Sequence, residues 1–174
     1  METEIHKLVP GITSTDMIHI REIRESDKTW VSQILTTRWG STTVVSRGML
    51  HAAHELPGFI AAEDTVPLGL LTYRMNEDTC EIITLDSLEE GRGIGSALIK
   101  SVEVVADKNK CTRVWLITTN DNLHALRFYQ RRGYVLVAVH RNAIDRSRQL
   151  KPQIPYDGKD GIPLRDEIEL EKIL

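Results

Sequence analysis

The sequence predicts a mixed α/β (α+β) fold, with strands and helices sharing one sheet. Three observations carry that expectation. Strand-like runs and helix-like runs alternate through the second half of the chain. A Gly-Arg-Gly-Ile-Gly turn, Gly91 to Gly95, joins a strand pattern to a helix pattern. A continuous apolar run, Tyr134 to His140, follows the next helix pattern and reads as a strand covered on both faces.

In chain order, residues 1–16 are polar, carry Pro10 and Gly11, and are expected to form an arm or loop. Met17 to Ile23 alternates apolar and polar residues, the period of a half-buried strand. Ser26 or Asp27 is placed to cap a helix whose apolar face holds Trp30, Val31, Ile34 and Leu35, with Gly40 as its stop. Residues 41–58 are ambiguous, and their second half is expected to form a short helix that ends before Pro57. GFIAAE and PLGLLTYRM form a hairpin, and CEIITLDS adds a strand. A helix follows from about Gly93 to Asp107, with Ile94, Ala97, Leu98, Val102 and Val105 at helical spacing. RVWLITT is a buried strand, and NLHALRFYQRRG a helix stopped by Gly133. Residues 141–166 hold three prolines and two glycines and are expected to form a long ordered loop or lid. EIELEKIL closes the chain as a strand.

At 174 residues the chain fits a single domain spanning 1–174. The net charge of −3 lacks the basic excess of nucleic-acid or membrane-surface proteins, so neither partner is expected. No apolar run approaches the ~18 residues of a membrane span, and the N-terminus shows no apolar signal core. The two cysteines, Cys80 and Cys111, form no CxxC pair and read as reduced core thiols, so a cytoplasmic location is expected.

Glycines at the mouth of a helix let the backbone take positive φ and let a ligand approach closely. The free N–H groups there attract anions, which suggests a phosphate or pyrophosphate. No GK[ST] is present, and Ser96-Ala97-Leu98 breaks the dinucleotide GxGxxG pattern. On these residues alone, a tight turn without a ligand stays open.

EEGRGIGSALI is followed, 27 residues beyond Gly95, by NLHALRFYQRRGY starting at Asn122. Together they resemble the GNAT superfamily of acetyl-CoA-dependent acyltransferases. The second motif is met at Asn122, Ala125, Phe128, Tyr129, Gly133 and Tyr134, and the first at Gly93 and Gly95. Glu90 departs from the family, where Gln or Arg is usual.

The resemblance implies a twisted, mostly antiparallel mixed sheet of six to seven strands, flanked by helices and splayed where acetyl-CoA binds. It implies that the pantetheine arm pairs with the backbone of Leu85 and Ser87. The pyrophosphate would rest on the amides of Gly91, Arg92, Gly93, Ile94, Gly95 and Ser96. Asn122 would anchor the cofactor arm, and Tyr129 would lie near the thioester sulfur. Acetyl-CoA is thus the expected co-substrate, and no metal is expected. The activity implied is direct transfer of an acetyl group to a primary amine, with a small-molecule acceptor favoured. A protein or peptide amine, or a non-catalytic acyl-CoA sensor, are the alternatives. A homodimer paired through the last strands is also a family expectation.

The acceptor amine must be neutral to attack, and neutralising one of pKa about 10.4 at pH 7 costs roughly 4–5 kcal/mol. Glu81 is the candidate base, a carboxylate inside an apolar strand and expected to share a face with Ile83 and Leu85. Asp86, expected on the opposite face, is the weaker candidate, and a water relay is a further alternative. Tyr129 is the candidate acid for the leaving thiolate. His51 and His54 lack a third metal ligand, and with Trp30, Trp39 and Ser46 they come from the segment that lines the acceptor side in this fold. Lys100, Arg127, Arg131 and Arg132 read as solvated helix faces or as a field for the cofactor's 3′-phosphate. Tyr156, in the C-terminal loop, is placed to cover the acceptor or to pack on the last strand.

Overall fold

The computed structural model describes residues 17–174. The expected arm at 1–16 lies outside the described residues.

Seven strands form one sheet in the order β1-β4-β5-β6-β7-β9-β8. They are β1 (Ile18–Glu22), β4 (Gly58–Glu63), β5 (Val66–Asn76), β6 (Thr79–Ser87), β7 (Arg113–Thr119), β8 (Val135–His140) and β9 (Glu167–Ile173). Every neighbouring pair is antiparallel except β6 and β7, which run parallel. The parallel step needs a crossover, and α2 (Ile94–Lys108) provides it. α1 (Lys28–Trp39) covers the other face, burying Val31, Ile34 and Leu35 and ending at Gly40 in the left-handed conformation (φ 75°). α3 (Leu123–Gln130) packs on the α2 side. The sheet therefore separates two apolar clusters. Leu98, Val102, Leu116 and Leu170 lie on the α2 face, and Leu35, Ile60, Leu70 and Ile83 on the α1 face.

Three elements differ from the sequence expectation. Residues 43–52 form a hairpin, β2 (Thr43–Ser46) with β3 (Met49–Ala52), so the first residues of the expected short helix are strand. Its two turn residues, Arg47 (φ 52°) and Gly48 (φ 70°), both take positive φ, the turn that matches strand twist. A three-residue 3-10 turn, Ala53–Glu55, follows it. The expected loop at 141–166 contains α4 (Ala143–Leu150), which buries Ile144 and Ser147 on one side. β8 is not covered on both faces. It is the outer strand, flanked only by β9, and Val135 and Val139 are 57% and 60% exposed. A run of apolar residues cannot by itself distinguish a doubly covered strand from an apolar edge.

β6 carries the feature that builds the site. Against β5, Tyr73 pairs with Ile82 while Thr72 pairs with Thr84, so Ile83 is an extra residue in the ladder. Such a bulge flips the side-chain alternation beyond it. Leu85 consequently packs with the α2-side cluster, while Ile83 packs on the α1 side. The expected shared face of Glu81, Ile83 and Leu85 is thereby broken.

Candidate active site

The parallel ladder between β6 and β7 ends at the Ile82–Leu116 pair. Beyond it the strands part. Residues Ile83–Ser87 have no strand partner on that side, and a cavity of about 850 Å³ opens in the wedge. One wall is β6, with Leu85, Asp86 and Ser87, and the other is Leu116–Thr118 of β7. Phe128 and Tyr129 reach it from the α3 side, and Arg38 and Trp39 from the end of α1. The cavity thus passes through the plane of the sheet.

The glycine loop forms one end of this space. Gly91 (φ 78°) and Gly93 (φ 77°) hold the left-handed conformation, and no protein atom stands where a Cβ would point. Ile94, Gly95 and Ser96 begin α2, where backbone N–H groups have no partner within the helix. Gly95 has a different reason for lacking a side chain, because a Cβ there would sit 2.9 Å from Phe128 Cζ. Ser96 Oγ accepts from Arg132 Nε at 3.0 Å, and the same guanidinium lies 3.5 Å over the Phe128 ring. A fixed cation therefore stands beside the amides, an arrangement suited to a pyrophosphate. Arg92 is set apart from its neighbours in the loop. Its guanidinium is bound by Glu63 and by Glu89 (2.7 Å) and does not line the cavity. Lys100, Arg127 and Arg131 line a neighbouring groove of about 680 Å³ along α2 and α3, together with Arg132 and Lys172.

Asn122 is the N-cap of α3, accepting from the Ala125 N–H at 3.3 Å, and it also lines the cavity. Lys159 Nζ donates to the same oxygen at 3.1 Å and brings the C-terminal segment to the cavity wall. Tyr156 does not take that place. It is 75% exposed, lies under the Arg148 guanidinium, and is not part of the cavity. The Tyr129 ring is buried against Phe128 and Tyr134, with centroids 5.2 and 5.5 Å away. Burial raises its pKa above the ordinary phenol value, and the nearby Asp86 charge adds to the rise. Its hydroxyl has no hydrogen-bond partner among the described residues, which leaves its proton free for a ligand.

The two carboxylates of β6 are sorted by the bulge. Glu81 is 3% exposed and closed in: Ser46 Oγ donates to Oε1 at 2.8 Å and Arg74 Nη2 to Oε2 at 3.2 Å. It does not line the cavity. Burial raises its pKa, opposed by these two donors. Asp86 does line the cavity, and Trp39 Nε1 donates to its Oδ2 at 2.8 Å. Burial raises the Asp86 pKa too, opposed by Trp39 and the Arg38 charge. Regular alternation along β6 puts Asp86 on the face opposite Glu81, and a single-residue bulge leaves no mark that alternation can detect. Arg38 and Lys159 carried no recognisable signal in the sequence, being single cations on distant segments.

His51 and His54 do not converge. His51, on β3 of the hairpin, is buried with Nε2 unpartnered, while His54 lies 3.6 Å from Glu55. Among the described residues no group of three or more His, Cys, Asp or Glu side chains could hold a metal ion. No helix among them is long and apolar enough to cross a membrane.

The fold, a sheet parted into a wedge beside a glycine-rich helix start, is that of an N-acetyltransferase that uses acetyl-CoA. The chain belongs to the acetyltransferase (GNAT) family, whose model matches residues 19–134. It is 40% identical over 151 residues to the uncharacterized protein YdhI of Bacillus subtilis, covering 86% of this chain and 94% of that one. It is 43% identical over 148 residues to YxbD of the same organism, covering 84% and 93%. In fold it is similar to a Bacillus subtilis acetyltransferase solved in complex with CoA, with a TM-score of 0.66 at 16% identity. That match covers 91% of this chain and 99% of the other.

Proposed function

We propose that this acetyltransferase moves the acetyl group of acetyl-CoA directly to the primary amine of a small molecule bound in the same cavity. The observation that carries the reading is the cavity's course through the sheet. Tyr129 stands towards the α3 side, and Arg38 and Trp39 close the α1 side, with Lys159 on the wall. An acceptor space bounded by three long side chains suits a compact amine better than an extended polypeptide.

In this reading the amides from Gly91 to Ser96, with Arg132, hold the pyrophosphate. The unpaired backbone of Leu85 and Ser87 aligns the pantetheine arm as an added strand. Asn122 orients that arm near the sulfur. The Tyr129 hydroxyl gives its proton to the departing thiolate, and the raised phenol pKa keeps that proton in place beforehand. Direct transfer is supported by the thiols. Burial pushes Cys80 up to about 12, so it stays protonated at neutral pH, and neither cysteine lines the cavity. The two buried free thiols also support a reducing, cytoplasmic location. The exposed outer strand β8 supports pairing with a second copy of the chain.

The test is calorimetric titration with acetyl-CoA, followed by thiol release with a panel of small amines and free-amine peptides. Saturable one-to-one binding with turnover on small amines is the expected result. Higher kcat/KM on the peptides would replace the small molecule by a polypeptide acceptor. Binding without turnover on any amine would make the protein a sensor.

A further inference from the structure

We propose that Asp86, held by Trp39, takes the proton from the acceptor ammonium, and that Glu81 is no part of the chemistry. The inference rests on the direct-transfer reading above and names the base within it.

Four observations meet at Asp86. The bulge at Ile83 turns residues beyond it over, which presents Asp86 to the wedge on the side of α1. Trp39 Nε1 fixes Oδ2 at 2.8 Å across 47 residues of sequence, so the carboxylate is oriented before any substrate arrives. The other oxygen, Oδ1, has no hydrogen-bond partner among the described residues. Tyr129, the proposed acid, shares the cavity and is close enough for the Asp86 charge to be felt at its phenol. A free carboxylate oxygen and a free hydroxyl thus border one space.

Glu81 has the opposite arrangement. Both of its oxygens are engaged, it is almost wholly covered, and it does not line the cavity that holds Asp86 and Tyr129.

The step balances as follows. The ammonium gives one proton to Asp86 Oδ1. Its nitrogen attacks the thioester carbonyl carbon, the C–N bond forms, and the C–S bond breaks with its electron pair leaving on sulfur. Tyr129 protonates the sulfur and recovers a proton from the nitrogen as the amide forms, through water. Asp86 returns its proton to solvent.

The charged and titratable groups that share the cavity with Asp86 are Arg38 from α1 and His124 and Tyr129 from α3, with Lys159, Arg132, Glu89 and Glu90 further along the walls. Of these, Arg38 and the Trp39 N–H favour the ionised carboxylate, while burial disfavours it. The base works when ionised, so turnover rises with pH through the Asp86 titration. Trp39→Phe removes a donor to the ionised form and moves that rise to higher pH.

The experiment compares wild type, Asp86→Asn, Glu81→Gln and Trp39→Phe. It measures acetyl-CoA affinity by calorimetry and thiol release against pH, using the best amine of the panel and hydroxylamine. Hydroxylamine is largely neutral at pH 7 and needs no base. Asp86→Asn is expected to keep its acetyl-CoA Kd within about twofold and to lose about 10²–10⁴-fold in turnover on the basic amine. Its loss on hydroxylamine should be less than about tenfold, because the proton it would accept is already gone. Glu81→Gln should keep the wild-type acid limb, and Trp39→Phe should shift it upward. Equal losses on both nucleophiles, or an unchanged acid limb in Asp86→Asn, would overturn the assignment while leaving direct transfer standing. Wild-type protein that binds no acetyl-CoA would overturn the direct-transfer reading and this inference together.

Discussion

Ser46 Oγ reaches across 35 residues of sequence to donate to Glu81 Oε1 at 2.8 Å, pinning the β2–β3 hairpin onto the sheet. Arg74 completes the contact from β5, and its Nε is already buried without a partner. Glu81→Ala would leave that guanidinium uncompensated. A cost of about 1–3 kcal/mol is expected, because Ser46 loses its acceptor while the partly exposed guanidinium keeps water. Urea unfolding measures it, and turnover per folded molecule should stay within a few-fold of wild type.

Gly95→Ala should act on both stability and ligand. The new methyl would press on Phe128 at 2.9 Å, and that ring carries the Arg132 guanidinium on its face. Overpacking of this kind costs about 1–3 kcal/mol. Thermal unfolding with and without acetyl-CoA should show a lower Tm and a smaller ligand-induced rise.

The two arginines near the loop should separate cleanly. Arg132→Ala removes the cation beside the helix N-terminus, and acetyl-CoA affinity should fall about tenfold, or about 1.4 kcal/mol. The loss should shrink as salt is raised. Arg92→Ala should leave affinity within about twofold, since Glu63 and Glu89 already occupy that side chain. Calorimetry at two ionic strengths distinguishes them.

Tyr129→Phe should lower kcat by about 10²–10⁴-fold at an unchanged Kd for acetyl-CoA. Because the phenol titrates above its ordinary value, the wild-type rate should show no basic limb from this group near neutrality. Stopped-flow thiol release between pH 6 and about 10 reads both.

Arg21 and Asp27 link β1 to the start of α1 through a two-pronged ion pair of 2.6 and 2.9 Å. Arg21 holds the Asp27 carboxyl below its usual range. The pair's contribution is therefore complete above the unfolded carboxyl pKa of about 3.9 and is lost as pH falls through the lower folded value. Asp27→Asn should destabilise the protein at pH 6, and the gap to wild type should close towards pH 2. Unfolding curves across that range test it.

How much of this was legible in the sequence depends on the range of the interaction involved. The glycine loop, the Asn122 cap and Tyr129 follow from contiguous motifs, and the structure brings all three to one cavity. Helix and strand periods located α2, β7 and α3 within a residue or two. The misplacements share a cause. The hairpin at 43–52 turns on positive φ at both Arg47 and Gly48, and an arginine in that conformation gives no turn signal. The fate of β8 depends on which strand ends the sheet, and that of Asp86 on one extra residue in a ladder. Each is a property of pairing between distant segments. Arg92 shows the same limit, as a cation adjacent in sequence to the cradle whose charge is spent on Glu63, 29 residues away.

The early end of the β6–β7 ladder at Ile82 and Leu116 has a thermodynamic side. The sheet consists of a four-stranded leaf and a three-stranded leaf, joined by a short parallel seam. Any ligand that lays an extended chain in the wedge becomes a clasp between the leaves. Opening of the seam and departure of that ligand are then one equilibrium. Saturation at a hundred times Kd should add about 2.7 kcal/mol to global stability. Hydrogen exchange should slow first at the seam amides of Cys80–Ile82 and Val114–Leu116, making them the reporters of occupancy.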